Sequence, residues 1–266
     1  MTDTVRSSDG TTIAFDRSGE GPPLVLVGGA LSDRAAATPL AGHLAERFTV
    51  IAYDRRGRGD SGDTAPYAVD REVDDLLALL VEAGGSAFVF GHSSGAALAL
   101  EAAANDLPIV KLALYEPPFI VDDSRPELPR DYVTRVEELV SADRRGAAVE
   151  YFMTVAVGVP ADMVAQMRSS PMWPSMEAVA HTISYDGRVM GDAMVGSPEP
   201  LQPWESVTIP TLVMDGGASP DWQRNAVRAL VDVLPNVRHR TLEGQGHGPA
   251  DELLAPALIE FFTADE

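Results

Sequence analysis

Short runs of strand-forming residues alternate with longer helical patterns through the first half of the chain. The strand-like runs fall at residues 11–15, 24–27, 49–53, 87–90 and 110–115. Between them, residues 33–47, 70–83 and 94–105 have the length and the Ala, Leu and Glu content of helices, and Gly84-Gly85 supplies a stop for the second. Strand followed by helix, repeated, predicts a doubly wound, mostly parallel α/β sheet. The rhythm returns at the end with a strand over 211–214, a helix over 221–233, a strand over 237–242 and a last helix over 249–262. Pro249 suits the first turn of that helix.

Residues 120–205 interrupt this order, offering helical segments such as 132–141 and 146–155 with no strand between them. Pro117-Pro118 and Pro126 lead in, and Pro198, Pro200 and Pro203 lead out, as expected where a chain leaves and rejoins a sheet. The expectation is an α/β core of 1–119 and 206–266 with a helical cap of 120–205. No internal repeat is visible.

The 266 residues, 45% of them hydrophobic, are enough to bury a large core. The absence of cysteine excludes disulfides and thiolate chemistry, so a covalent mechanism needs another nucleophile. A formal net charge of −20 opposes nucleic acid and anionic membrane as partners, because both demand basic patches. The densest basic run, Arg55, Arg56 and Arg58, sits in one loop and reads as structural. The polar first ten residues and the lack of a long apolar segment lead to the expectation of a cytoplasmic protein acting on a small molecule, with a homodimer left open.

Gly91-His92-Ser93-Ser94-Gly95 fits G-x-S-x-G, with an apolar run before it and a small-residue helix after it. That setting holds a serine on a turn so tight that only small neighbours fit. A serine hydroxyl needs a base, and of the five histidines His247 is the choice. It lies in Gly244-Gln245-Gly246-His247-Gly248 after the last strand, where a side chain can project over the sheet's ligand crevice. His92 should point away from the serine, His43 and His239 fit ordinary helix and strand positions, and His181 is placed in the cap where it could touch substrate.

The elbow, the terminal Gly-His loop, the segment Tyr53-Asp54-Arg55-Arg56-Gly57-Arg58-Gly59-Asp60-Ser61 and the cap between strands six and seven together resemble the α/β-hydrolase family. The resemblance covers essentially the whole chain and implies an eight-stranded sheet with helices on both faces. It implies that Gly28-Gly29-Ala30 is the oxyanion loop, with backbone donors at Ala30 and Ser94 and with Gly29 against the substrate. The family's usual histidine is replaced by Gly28, which leaves the backbone donors in place.

The triad acid departs from the common pattern. The position after strand seven is Gly216-Gly217-Ala218-Ser219, and a serine cannot stabilise an imidazolium by charge. After strand six the chain reads Tyr115-Glu116-Pro117-Pro118, and Glu116 keeps the order Ser, acid, His. This arrangement is similar to that of zearalenone-type lactone hydrolases. The reading favours Glu116, with Asp215 at the end of strand seven as its rival.

Serine hydrolysis through an acyl-enzyme on Ser93 calls for no metal and no organic cofactor. Met153 and Trp173, with other cap methionines, are candidates for an apolar roof over the substrate, and His181 joins them. An apolar ester or lactone fits this description. Carbon–carbon bond hydrolysis by the same triad, or a ligand-binding or cyclase role with a lapsed triad, are the alternatives.

Overall fold

The computed structural model describes residues 2–264; Met1, Asp265 and Glu266, the outermost positions of the expected core, lie outside it. Eight strands form one sheet in the order β1-β2-β4-β3-β5-β6-β7-β8. They are β1 (Asp3–Arg6), β2 (Thr12–Ser18), β3 (Pro23–Val27), β4 (Thr49–Tyr53), β5 (Ala87–His92), β6 (Ile109–Tyr115), β7 (Thr211–Gly216) and β8 (Val237–Leu242). β1 and β2 are antiparallel additions at one edge, and every pairing from β4 to β8 is parallel. β1 is the strand the hydrophobic pattern does not reveal, because its four residues carry a single apolar side chain and lie at the sheet edge.

Successive residues of a strand face opposite sides, and the core divides accordingly. Val25, Val27, Val89, Leu112, Leu114 and Val213 pack on one face against α2 (Val69–Glu82), α3 (Ser94–Ala104) and α9 (Asp221–Val233). Leu24, Leu26, Phe90, Ala113, Leu212 and Met214 pack on the other against α1 (Thr38–Leu44) and α10 (Asp251–Thr263).

Two helices start later than expected. The Asp33 side chain caps a short 3-10 turn, Arg34–Ala37, and α1 begins only at Thr38 with Pro39 in its first turn. Proline has no N–H to extend a helix backwards, so the chain restarts there. Pro249 stands ahead of α10 rather than inside it; the extended residue before the helix is Ala250, whose N–H is bound to Gln245 Oε1 at 2.9 Å.

The segment between β6 and β7 carries helices and, among the described residues, no strand. It comprises α4 (Tyr132–Ser141), α5 (Arg145–Tyr151), a π-helical turn (Phe152–Val157), α6 (Ala161–Met167), α7 (Trp173–Ala178) and α8 (Ile183–Met190), with 3-10 turns at Ala180–Thr182 and Glu199–Ser206. It leaves and rejoins the core at one place, where Ile120 exchanges backbone hydrogen bonds of 2.8 Å with Ala193 and Gly196. Its own small core includes Tyr132, Val136, Val149, Trp173 and Ile183. Among the described residues no helix is long and apolar enough to cross a membrane.

The chain leaves β3 toward β4 on one side and later places β5 on the other, so loops diverge above the C-terminal ends of β3 and β5. Such a switch point leaves a crevice that side chains can line. Leu114 is fully buried beneath it. Leu114→Ala should lower the unfolding free energy by about 2–5 kcal/mol, read as a reduced urea midpoint with an unchanged slope.

Candidate active site

β5 runs straight into α3, and Ser93 makes the turn with φ 56° and ψ −127°, a conformation that side-chain-bearing residues rarely adopt. The turn closes because Gly95 brings α3 against the end of β3: a Cβ there would lie 2.3 Å from the Val27 carbonyl oxygen. The Ser93 N–H is meanwhile tied to the Tyr115 carbonyl at 2.9 Å. Strain held in this way presents Oγ above the sheet edge.

His247 comes from the loop between β8 and α10. Its Nε2 lies 3.1 Å from Ser93 Oγ and its Nδ1 lies 2.8 Å from Glu116 Oε2. Glu116 is fully buried one residue past β6, and its backbone, with φ 45°, is in the left-handed region. That turn directs the carboxylate inward, where its other oxygen accepts the Gly216 N–H at 2.7 Å. Two contacts fix the His247 loop from below: Tyr115 donates to the Gly246 carbonyl at 2.6 Å, and His92 Nε2 donates to the His247 carbonyl at 2.7 Å.

The rival acid is committed elsewhere. Asp215 is buried and bonds to Thr241 Oγ1 at 2.7 Å, His239 Nε2 at 3.1 Å and Arg224 Nε at 3.4 Å. Ser219 is also buried, and its hydroxyl meets no partner among the described residues. His92 does not bond to Ser93; it turns toward the His247 loop, and burial together with His247 pushes its pKa down to about 4.

Gly29 abuts the serine: a Cβ at this position would lie 3.0 Å from Ser93 Cβ. Among the described residues, the Ala30 and Ser94 N–H groups meet no acceptor within the protein. Above them opens a cleft of about 590 Å³. Leu26, Leu40, Trp222 and Leu254 of the core line it, with Tyr132, Phe152, Ile183, Met190 and Met194 of the insertion as roof. Its acidic lining is Asp33, Asp186 and Asp251, the His92 and His247 rings border it as well, and among the described residues no Lys or Arg reaches it.

Three expected cleft residues are elsewhere. Met153 and Trp173 belong to the insertion's own core, where Trp173 Nε1 donates to Glu177 at 2.8 Å. His181 lies 3.7 Å from Asp63, beside Gly57, at the seam between insertion and core. Helical spacing brings apolar side chains together without saying whether they face a neighbouring helix or a cavity, and here they face the helix. Gln223, whose amide is 2.7 Å from His247 Nδ1, and the buried Asp186 were not visible in the sequence, where each is one polar residue of an amphipathic helix. Among the described residues no group of three or more His, Asp or Glu side chains is placed to hold a metal ion.

Residues 24–258 match the model of the alpha/beta hydrolase family. The fold superposes with a TM-score of 0.92 on the crystal structure of an alpha/beta hydrolase from Sphaerobacter thermophilus DSM 20745, at 62% identity over 98% of this chain and 100% of that one. A 2-(acetamidomethylene)succinate hydrolase of Mesorhizobium japonicum is 27% identical over 95% of this chain and 92% of its own. An uncharacterized hydrolase of Bacillus subtilis, YraK, is 38% identical over a stretch that covers 35% of each chain. With the serine on its strand-to-helix turn, the histidine loop after β8 and the helical insertion after β6 all in place, the chain belongs to the alpha/beta hydrolase family.

Proposed function

We propose that the protein is a serine hydrolase cleaving an ester or lactone bond in a neutral, largely apolar small molecule. The observation that carries this reading is the continuous hydrogen-bonded chain from Ser93 Oγ through both nitrogens of His247 to Glu116, beside two unoccupied backbone donors. Ser93 Oγ attacks the acyl carbon while His247 Nε2 takes its proton, and the Ala30 and Ser94 amides receive the charge that develops on the carbonyl oxygen. The C–O bond breaks as the imidazolium returns the proton to the leaving alkoxide. Water, deprotonated by the same nitrogen, then releases the acid and restores the serine. Glu116 holds the Nδ1–H tautomer and stabilises the imidazolium by charge.

The substrate class follows from the cleft. Apolar walls with, among the described residues, acidic side chains and no Lys or Arg give a carboxylate nothing to pair with. The succinate named for the Mesorhizobium relative is a dicarboxylate, so that activity does not suit this cleft. An acid after the sixth strand in place of the seventh supports the likeness to zearalenone-type lactone hydrolases. The limits 1–119 with 206–266 for the core and 120–205 for the cap belong to the same proposal.

A small fluorophosphonate should add one phosphonyl group to the protein by intact mass, and Ser93→Ala should abolish it. No adduct over a range of pH and probe sizes would replace catalysis with ligand binding. Glu116→Gln should cut turnover of p-nitrophenyl esters by about 10⁴-fold while Asp215→Asn stays near wild type; the opposite order would transfer the acid's role to Asp215. A third expectation concerns His92. An unfolded chain protonates this side chain near its ordinary value of 6.5, whereas the folded chain does so only at about 4. The stability that His92 contributes therefore declines as pH falls through that window. Urea titrations between pH 4 and 7 should show a shallower decline for His92→Gln, which keeps a donor for the His247 carbonyl and does not titrate.

A further inference from the structure

Both amides that face the reacting carbonyl trace back to one carboxylate of the insertion. Asp186, on α8, is only 4% exposed. Its Oδ1 accepts the Ser94 hydroxyl at 2.7 Å, and its two oxygens take Arg58 Nη2 at 3.0 and 2.8 Å. Arg58 Nη1 in turn donates to the Gly29 carbonyl at 2.5 Å, and the Ser32 hydroxyl donates to the same oxygen at 2.7 Å. In a trans peptide the C=O and N–H point in opposite directions. Drawing the Gly29 carbonyl toward Arg58 therefore turns the Ala30 N–H toward the serine, whose Cβ lies against Gly29.

We propose that Asp186 is a positioning residue for the oxyanion hole, fixing the Ala30 amide through Arg58 and the Ser94 amide through the Ser94 hydroxyl. The inference rests on the serine-hydrolase reading above. Asp186 also meets Arg55 at 2.7 Å, but Arg55 has a bidentate partner of its own in Glu72, with both contacts at 2.8 Å. Arg58 has no second carboxylate among the described residues, so its aim depends on Asp186. Hole and insertion are thereby one unit: when α8 is seated, both donors are in register.

The test compares Asp186→Asn, Ser94→Ala and Asp75→Asn with wild type on p-nitrophenyl butyrate, with active sites counted by fluorophosphonate labelling carried to completion. Asp75 pairs with Arg56 at 2.7 Å in an equally buried ion pair that touches neither donor, so it serves as the control for lost stability. Asp186→Asn should lower kcat per labelled site by about 10²-fold or more, the effect of misplacing an oxyanion donor. KM should change far less than kcat, because Asp186→Asn keeps the size and shape of the one cleft-lining side chain it alters. The affinity for phenylboronic acid, whose adduct places an oxygen in the hole, should weaken by a factor comparable to the loss in kcat, and the pH midpoint of kcat/KM should not move. Ser94→Ala, which keeps the amide and removes only its tie, should cost at least about tenfold in kcat, and it decides the matter if Asp186→Asn does not fold. Wild-type kcat and boronate affinity in Ser94→Ala and in folded Asp186→Asn would overturn the proposal, as would an equal loss in Asp75→Asn. A wild-type protein that takes no label removes the hydrolase reading and this inference together, whereas a labelled wild type with unaltered variants removes the inference alone.

Discussion

Three guanidinium groups from one short loop, Arg55, Arg56 and Arg58, are withdrawn from water almost completely, and each needs a carboxylate brought to it. An uncompensated charge in such surroundings costs several kcal/mol even after relaxation, so the partners are conditions of folding rather than ornaments of it. They come from separate parts of the chain. Glu72 and Asp75 lie on α2, Asp9 lies in the turn between β1 and β2, and Asp186 lies on α8 of the insertion. One loop after β4 thus holds a helix, the edge hairpin and the insertion against the same end of the sheet. The cleft has its shape because those pieces cannot drift apart without exposing or orphaning a charge.

Strain is concentrated where that end of the sheet must present chemistry. Ser93 and Glu116 follow β5 and β6, neighbouring strands, and both take backbone conformations with positive φ that cost a non-glycine residue of order 1–3 kcal/mol each. Neither can relax independently. Ser93 N–H is held by the Tyr115 carbonyl, Tyr115 precedes Glu116 directly, and its hydroxyl braces the loop that carries His247. Ser93, Glu116 and His247 are consequently referenced to a single residue at the end of β6.

How much of this could be read from the sequence depends on how local each signal is. The elbow and the Gly-His loop are contiguous motifs, and the apolar runs of β3 and β6 mark strands buried on both faces, so these were legible. β1 was not, since Asp-Thr-Val-Arg at an exposed edge carries no periodicity. Glu116 and Asp215 both lie at the ends of buried strands, and sequence alone leaves them as rivals; which carboxylate meets His247 depends on the backbone turn after the strand, and the contact is made by Glu116, while Asp215 bonds to Thr241. Asp186 and Gln223 become significant only through contacts across 92 and 24 positions of chain. Met153 and Trp173 lie in the insertion's own core, because their apolar spacing describes a packed helix as well as it describes a pocket wall.

The acidic, cation-free lining of the cleft has a consequence for the end of the reaction. A neutral ester enters without electrostatic penalty, but its hydrolysis creates a carboxylate in a cleft whose lining includes Asp33 and Asp251 and, among the described residues, no Lys or Arg to retain it. Like charges at close range in a partly desolvated space repel far more strongly than they do in water. The cleft thereby distinguishes product from substrate by the one charge that catalysis generates. Inhibition by product is thereby weakened, because the acid meets electrostatic opposition when it returns to an acidic cleft.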